Sequence, residues 1–199
     1  MSSPDMYDEI AAAYHLVYAD WNVAIAQQAS ALDAIIREHV GPPPRSVLDV
    51  SCGIGTQALG LAAIGHAVTA SDLSAGAVER AAREAAHRNL SIDVKAADMR
   101  RCGEVHRSGF DVVLSADNSI PHLLSDDAIR EAFTGFHGMY VIREQRGSRP
   151  ATVIAGSSRY DAVPIDRLVS LLDESSFIEI RRYDGVLRQS VLVARRATG

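Results

Sequence analysis

The feature that most constrains the fold is a short apolar segment that runs directly into a glycine-rich turn. Residues 47–56 read VLDVSCGIGT, so a buried strand would carry Asp49 near its end and continue into Gly53 and Gly55. Glycine suits such a turn because the backbone there adopts positive φ or approaches a ligand closely. A second apolar run ends at Asp72, where a doubly wound sheet places a carboxylate against a ribose. Together the two signals predict a nucleotide-type ligand on an α/β fold.

Composition narrows the classes of protein that this chain can represent. Its 199 residues, 47% hydrophobic and 23% charged, suit one globular domain. The net charge of -5 offers no basic excess for phosphates, so we expect no nucleic-acid partner. Cys52 and Cys102 fit no metal-binding pattern, and we expect no metal. Without a signal peptide or an apolar run near the roughly 20 residues of a membrane span, we expect a cytoplasmic protein with no membrane partner. A homo-oligomer stays open.

Strands and helices alternate through the middle of the chain. The pattern predicts two N-terminal helices within 5–38, with a break near Asp20, and then strands at 46–50, 67–71, 92–96 and 110–115. The helices between them are predicted at 56–64, closed by Gly65, and from an N-cap at Ser74 to Arg88. This order predicts a mostly parallel sheet with flanking helices and a ligand at the carboxyl ends of the strands.

The alternation stops after a predicted helix at 126–133. Two strands at 139–145 and 151–157 then predict an antiparallel hairpin, followed by a helix at 164–174 and strands at 177–183 and 188–195. We therefore expect the fifth core strand to be missing, through omission or deletion of a segment. The predicted organisation is a single domain over 1–199, with a helical cap at 1–40, a cofactor-binding core at 45–133, an antiparallel insertion at 138–160 and a C-terminal helix and strands at 164–199.

Three segments resemble the motif series of class I S-adenosylmethionine-dependent methyltransferases, which have a Rossmann-like fold. They are VLDVSCGIGT, VTASD at 68–72 and AADM at 96–99. The segment ADNSIPHL at 116–123 is similar, more narrowly, to the glycine N-methyltransferase and glycine/sarcosine methyltransferase group. The resemblance implies in-line transfer of a methyl group from S-adenosylmethionine to a small-molecule acceptor, with an amine nitrogen favoured, and S-adenosylhomocysteine as product.

The same resemblance assigns residues to the methionine part of the cofactor. Gly53 and Gly55 would let the backbone approach it, and Asp49 would reach its amino group directly or through water. Ala116 and Asp117, after the fourth strand, would border the methionine and the sulfonium.

For the adenosine part, the resemblance implies that Asp72 accepts hydrogen bonds from both ribose hydroxyls while Leu73 flanks the adenine. Asp98 and Met99 would meet the adenine through its exocyclic amine and its ring. Each residue has a simpler interpretation: Asp72 could only cap the next helix, Asp98 could be a solvated turn residue, and Met99 could fill the core.

Two residues after the fourth strand are candidates for catalysis. Asn118 could orient a polar acceptor, and the imidazole of His122 could accept a proton near neutral pH. His122 could equally serve packing or hydrogen bonding at the start of a helix.

Aromatic residues in the N-terminal helices are candidates for a lid. Tyr7, Tyr14, Tyr18 and Trp21 could present ring faces that attract the sulfonium. Tyr14 and Tyr18 lie on one helical face, so simple packing is the alternative.

Three competing functions remain open at this level. They are an O-methyltransferase of a secondary metabolite, a nicotinamide-dependent oxidoreductase, and a protein that binds S-adenosylmethionine without turnover.

Overall fold

A seven-stranded sheet organises the computed structural model, which describes residues 3–106, 109–117, 119–136, 139–144, 163–185 and 190–197. The strands, in chain order, are β1 (Ser46–Asp49), β2 (Ala67–Asp72), β3 (Asp93–Ala96), β4 (Val112–Ser115), β5 (Met139–Glu144), β6 (Phe177–Tyr183) and β7 (Ser190–Arg196). Their order across the sheet is β3-β2-β1-β4-β5-β7-β6.

The first four strands are parallel, as the alternating pattern predicts. Val47 of β1 pairs with Val68 of β2 on one side and with Val112 of β4 on the other. All four residues of β4 are buried, because helices cover both faces of the sheet. The Rossmann-like fold expected from the sequence is therefore confirmed.

The prediction that the fifth core strand is missing is wrong. β5 lies parallel to β4, with Met139 opposite Val112, and β7 pairs with it antiparallel on its other side. An apolar run such as 139–142 fits a parallel or an antiparallel neighbour equally well, so the local pattern does not identify its partner. The predicted hairpin partner at 151–157 lies outside the described residues. With β5 in the sheet, the reason for supposing an omitted segment disappears.

Seven α-helices surround the described sheet. They are α1 (Ser3–Ile10), α2 (Trp21–His39), α3 (Thr56–Ile64), α4 (Ala75–His87), α5 (Cys102–Val105), α6 (Asp126–Gly135) and α7 (Ile165–Glu174). Short 3₁₀ helices at Tyr14–Val17, Met99–Arg101 and Ile120–Leu123 were not predicted. None of the described helices combines the length and apolar character needed to cross a membrane.

Local signals place three helix ends where the sequence predicts them, whereas the first helix ends at Ile10 and not near Asp20. Asp20 accepts a hydrogen bond from the backbone N–H of Val23 at 3.0 Å and so begins α2 at the expected break. Ser74 accepts from Ala77 N at 3.1 Å and begins α4. Gly65 ends α3 with a φ of 109°, a left-handed conformation that glycine adopts without strain.

Apolar side chains pack on both faces of the sheet. On one face, α6 and α7 contribute the buried residues Phe133 and Leu171. On the other face, Leu32 of α2 and Leu61 of α3 pack against the central strands. Because these strands are parallel, their carboxyl ends lie at the same edge of the sheet. The N-terminal helices cross that edge.

Candidate functional site

A cavity of about 790 Å³ lies at the carboxyl ends of the parallel strands. This volume falls in the range of small-molecule sites. Most of the predicted site residues contribute to its walls. They are Tyr7, Tyr18, Gly53, Asp72, Leu73, Asp98, Met99, Asp117 and His122.

Four of the predicted residues that the structure describes do not line the cavity: Asp49, Gly55, Ala116 and Trp21. Asp49 and Ala116 are buried beneath its floor, with exposed fractions of 0% and 1%. Gly55 begins α3 with a φ of 96° and thereby shapes the turn without facing the cavity. Asn118 lies outside the described residues.

Trp21 packs between α2 and α3 and does not line the cavity. Its indole Nε1 donates to Thr56 Oγ1 at 2.9 Å, and the guanidinium of Arg88 stands 5.1 Å from the ring centroid. The prediction that Trp21 forms part of a lid over the cavity is therefore wrong. Trp21 is the first residue of α2, so its ring is drawn into the contact between α2 and α3. Thr56 in turn donates to the hydroxyl of Tyr18 at 3.3 Å.

Asp72 connects the glycine turn to the end of β2. Its Oδ2 accepts from the backbone N–H of Gly53 at 2.8 Å, and its Oδ1 accepts from Ser74 N at 2.9 Å. The helix cap is Ser74, so the simpler interpretation of Asp72 as a cap is wrong. Burial raises the pKa of the Asp72 carboxyl above its usual value, while these backbone hydrogen bonds oppose the shift. Each carboxylate oxygen keeps acceptor capacity toward the cavity.

Asp49 is a carboxyl group buried beneath the turn. Oδ1 accepts from Ser51 N at 3.2 Å, whereas Oδ2 has no hydrogen-bond partner among the described residues. Burial raises the pKa of Asp49 to about 8, and the nearby carboxylates of Asp72 and Asp117 add to the shift. A buried carboxyl oxygen without a hydrogen-bond partner costs free energy. A hydrogen-bond donor close to the oxygen, and best a cation, offsets that cost.

Asp98 and Met99 line the cavity at the end of β3. Asp98 accepts from the backbone N–H of Arg100 at 2.9 Å and also forms an ion pair with the Arg100 guanidinium. Its hydrogen bond with that guanidinium holds the pKa of the Asp98 carboxyl below its usual value. Asp98 is thus a turn residue and a cavity residue at once, which reconciles the two interpretations of the sequence.

Asp117 belongs to a polar network that the sequence did not reveal. Gln57 Nε2 donates to Asp117 Oδ2 at 2.7 Å and to Gln28 Oε1 at 2.7 Å. The hydroxyl of Tyr18 donates to the same Asp117 oxygen at 3.4 Å. Gln57 is 2% exposed and lines the cavity just after the turn, so a polar residue in the first turn of α3 was the available signal.

An aromatic group forms another part of the cavity wall. The hydroxyl of Tyr7 lies 3.2 Å from His122 Nε2, and the two rings meet edge to face with centroids 5.7 Å apart. Tyr14 packs edge-on against Tyr7 at 6.0 Å. Burial is the main cause that raises the pKa of the Tyr14 phenol above its usual value, followed by Tyr7. Tyr7, Tyr14 and Tyr18 therefore line the cavity together, and their action as a lid stays a prediction.

Comparison with known proteins agrees with this geometry. Residues 47–140 match the family model described as a methyltransferase domain. Over 120 residues the chain is 29% identical to a glycine/sarcosine N-methyltransferase of Parasynechococcus marenigrum (strain WH8102), covering 60% of this chain but 42% of that relative.

Solved structures share the fold at low sequence identity. A S-adenosylmethionine-dependent methyltransferase from Clostridium acetobutylicum has a TM-score of 0.71 at 13% identity and covers 96% of this chain and 100% of its own. Magnesium protoporphyrin IX methyltransferase from Synechocystis, crystallised with S-adenosylmethionine, has a TM-score of 0.65 at 17% identity and covers 88% of this chain and 81% of its own.

The chain is similar to S-adenosylmethionine-dependent methyltransferases, through the methyltransferase-domain model over residues 47–140 and through the fold of the solved structures. The cofactor of that class is S-adenosylmethionine, and its product is S-adenosylhomocysteine. Within the class, the sequence is similar to glycine/sarcosine N-methyltransferase over the matched stretch.

The residues present fit a cofactor that carries positive charge. Asp72 and Asp117 line the cavity, and the unpartnered oxygen of Asp49 lies beneath the turn. At Gly53, with a φ of 51°, a Cβ atom would meet nothing within 4 Å, so the backbone borders open space. A cofactor that carries a sulfonium and an ammonium but no phosphate suits such a carboxylate-rich environment.

Proposed function

We propose that this protein transfers a methyl group from S-adenosylmethionine to the nitrogen of a small-molecule amine. The observation that carries the proposal is the position of His122, which faces the same cavity as Asp72 and contacts Tyr7. A proton acceptor thereby stands in the wall of the cofactor cavity. The similarity to a glycine/sarcosine N-methyltransferase supports an amine acceptor.

The chain's own residues would hold the cofactor from two sides. Asp72 would accept from the ribose hydroxyls, with Leu73, Asp98 and Met99 around the adenine. Asp49 and Asp117 would stabilise the amino group and the sulfonium at the methionine end, where Gly53 lets the backbone approach. When bound, S-adenosylmethionine supplies a methyl group attached to a sulfonium sulfur.

His122 would assist the acceptor. An amine attacks through its lone pair and must lose a proton, and a neutral imidazole can take that proton at its unprotonated ring nitrogen. Asn118 stays a candidate from the sequence for orienting the acceptor. Tyr7, Tyr14 and Tyr18 would exclude water and hold the acceptor in line with the methyl group, which is the main requirement of a displacement reaction.

The first experiment compares acceptor classes with purified protein. Formation of S-adenosylhomocysteine is measured by mass spectrometry with primary and secondary amines, with phenols and with carboxylic acids. We expect turnover with amines and methylated nitrogen in the product. Turnover confined to phenols would favour an O-methyltransferase, and cofactor binding without turnover in any class would favour a non-catalytic binding protein.

A substitution at His122 tests its role separately from cofactor binding. In His122→Asn we expect kcat/KM for the amine to fall by about a hundredfold or more, because a general base contributes on that scale. Affinity for S-adenosylhomocysteine should stay close to that of the wild type. His87→Asn, at the exposed end of α4, is the matched control. Equal activity of the two variants would remove His122 from the mechanism.

A further inference from the structure

The helix α1 is too short to hold its own position. It has eight residues, and isolated helices of that length are marginal in water. Its place over the cavity must come from contacts with the rest of the molecule. Met6 and Ala11 are buried, and Arg80 of α4 donates to the Ala12 carbonyl at 2.8 Å.

Asp8 joins α1 to the beginning of α4 through two short hydrogen bonds. Asp8 Oδ1 accepts from Ser74 Oγ at 2.5 Å and from the backbone N–H of Gly76 at 2.8 Å. A carboxylate is favoured there because the first N–H groups of a helix lack partners within the helix and carry partial positive charge. Asp8 therefore supplies, from a separate helix, an acceptor that α4 needs.

Gly76 allows this contact by lacking a side chain. A Cβ atom at that position would lie 3.1 Å from both the Cα and the carbonyl oxygen of Asp8. Distances in that range are tighter than nine in ten real Cβ contacts, so a side chain at residue 76 would require α1 to shift by a few tenths of an ångström.

The contact between Asp8 and the beginning of α4 connects two parts of the site, the carboxylate wall of the cavity and the aromatic ring of Tyr7 in α1. Ser74, which binds Asp8, also donates its backbone N–H to Asp72, and Asp72 accepts from the glycine turn. Tyr7 precedes Asp8 in the same helix and touches His122. Fixing Asp8 therefore also fixes the direction in which the Tyr7 ring crosses the cavity.

We propose that Asp8 is a positioning residue that fastens α1 across the cavity through the N-terminus of α4, holds Tyr7 against His122 and slows release of the cofactor. The inference rests on the cofactor cavity and not on the identity of the acceptor. A cofactor beneath α1 leaves only when α1 lifts, so its release rate follows the fraction of molecules in which α1 is undocked.

The test measures how fast bound radiolabelled S-adenosylmethionine is displaced by excess unlabelled cofactor. Asp8→Ala should release it about tenfold faster than the wild type, since two hydrogen bonds to a charged acceptor are lost. Asp8→Asn keeps an acceptor oxygen without the charge and should fall between the two. Glu9→Gln, the adjacent carboxyl on the same helix, is the matched control.

Gly76→Ala tests the same contact from the α4 side. Alanine favours the helix over glycine, so a purely structural effect would leave release unchanged and raise the melting temperature. Faster release of the cofactor without loss of thermal stability would be specific to the docking of α1.

Release from Asp8→Ala less than about threefold faster than from Glu9→Gln would overturn the proposal, since a factor of that size corresponds to a minor contact. If Asp8→Ala does not fold, the same threshold applies to Gly76→Ala. Failure of the wild type to bind the cofactor would instead overturn the cofactor assignment, so the two failures are distinguishable.

Discussion

At the scale of single residues, the site is defined by carboxyl groups gathered around one turn. The sequence predicts that Asp72 follows β2 beside the turn, because strand ends and glycine spacing are local features. It does not predict the state of Asp49, which depends on complete burial and on an oxygen without a partner among the described residues. The role of Gln57 was also hidden, because its contact with Asp117 joins distant parts of the chain.

The burial of Asp49 makes stability depend on pH. The pKa of Asp49 rises from 3.8 to about 8 on folding, so the folded protein binds a proton more tightly than the unfolded chain. Its contribution to the free energy of unfolding is therefore present below about pH 4 and is lost as pH rises toward 8. In Asp49→Asn this loss should disappear, and the variant should melt at a higher temperature than the wild type at pH 8.

Thermal unfolding of both proteins at pH 5, 6, 7 and 8 checks this prediction, with cofactor affinity measured in parallel. Affinity should fall in Asp49→Asn because the buried carboxyl group beneath the turn, which would stabilise the cofactor's positive charge, is gone. Melting curves of the two proteins that run parallel across the pH range would show that Asp49 does not titrate there.

At the scale of elements, most helices and strands begin and end close to the predicted residues. The break before α2 at Asp20 and the end of α3 at Gly65 follow from local capping chemistry. The direction of Trp21 could not be predicted in the same way, since it depends on how α2 packs against α3. That packing places Thr56 within reach of the indole.

The contact between α2 and α3 depends on Gly60. A Cβ atom there would lie 2.5 Å from Ala29 Cβ and 2.7 Å from the carbonyl oxygen of Ile25. Gly60→Ala should therefore lower the free energy of unfolding by about 1 to 3 kcal/mol, the usual cost of overpacking. Chemical denaturation measures the change.

A second variant separates this clash from other effects of the alanine. Ala29→Gly removes the nearer of the two atoms, so the double variant Gly60→Ala/Ala29→Gly should recover part of the lost stability, while the Ile25 carbonyl still interferes. Strictly additive effects of the two substitutions would contradict the packing account.

At the scale of the whole molecule, the parallel order of the first four strands could be predicted and the fifth position could not. Strands that are joined by helices run parallel to one another, and only a few orders of such strands are allowed. The parallel direction of β1 to β4 is therefore predictable. β5 lies between a parallel and an antiparallel partner, and only the complete sheet determines that place. The sheet and the N-terminal helices together form the cavity, so the cofactor site belongs to the fold as a whole.

The central claim is that this cavity holds the cofactor through Asp72, and calorimetric titration with S-adenosylhomocysteine tests it most directly. Wild type and Asp93→Ala, an exposed carboxyl on β3, should bind one equivalent with equal affinity. Asp72→Ala should bind about 30- to 150-fold more weakly, because two charge-assisted hydrogen bonds are worth roughly 2 to 3 kcal/mol. Equal affinity of Asp72→Ala and Asp93→Ala would contradict the account.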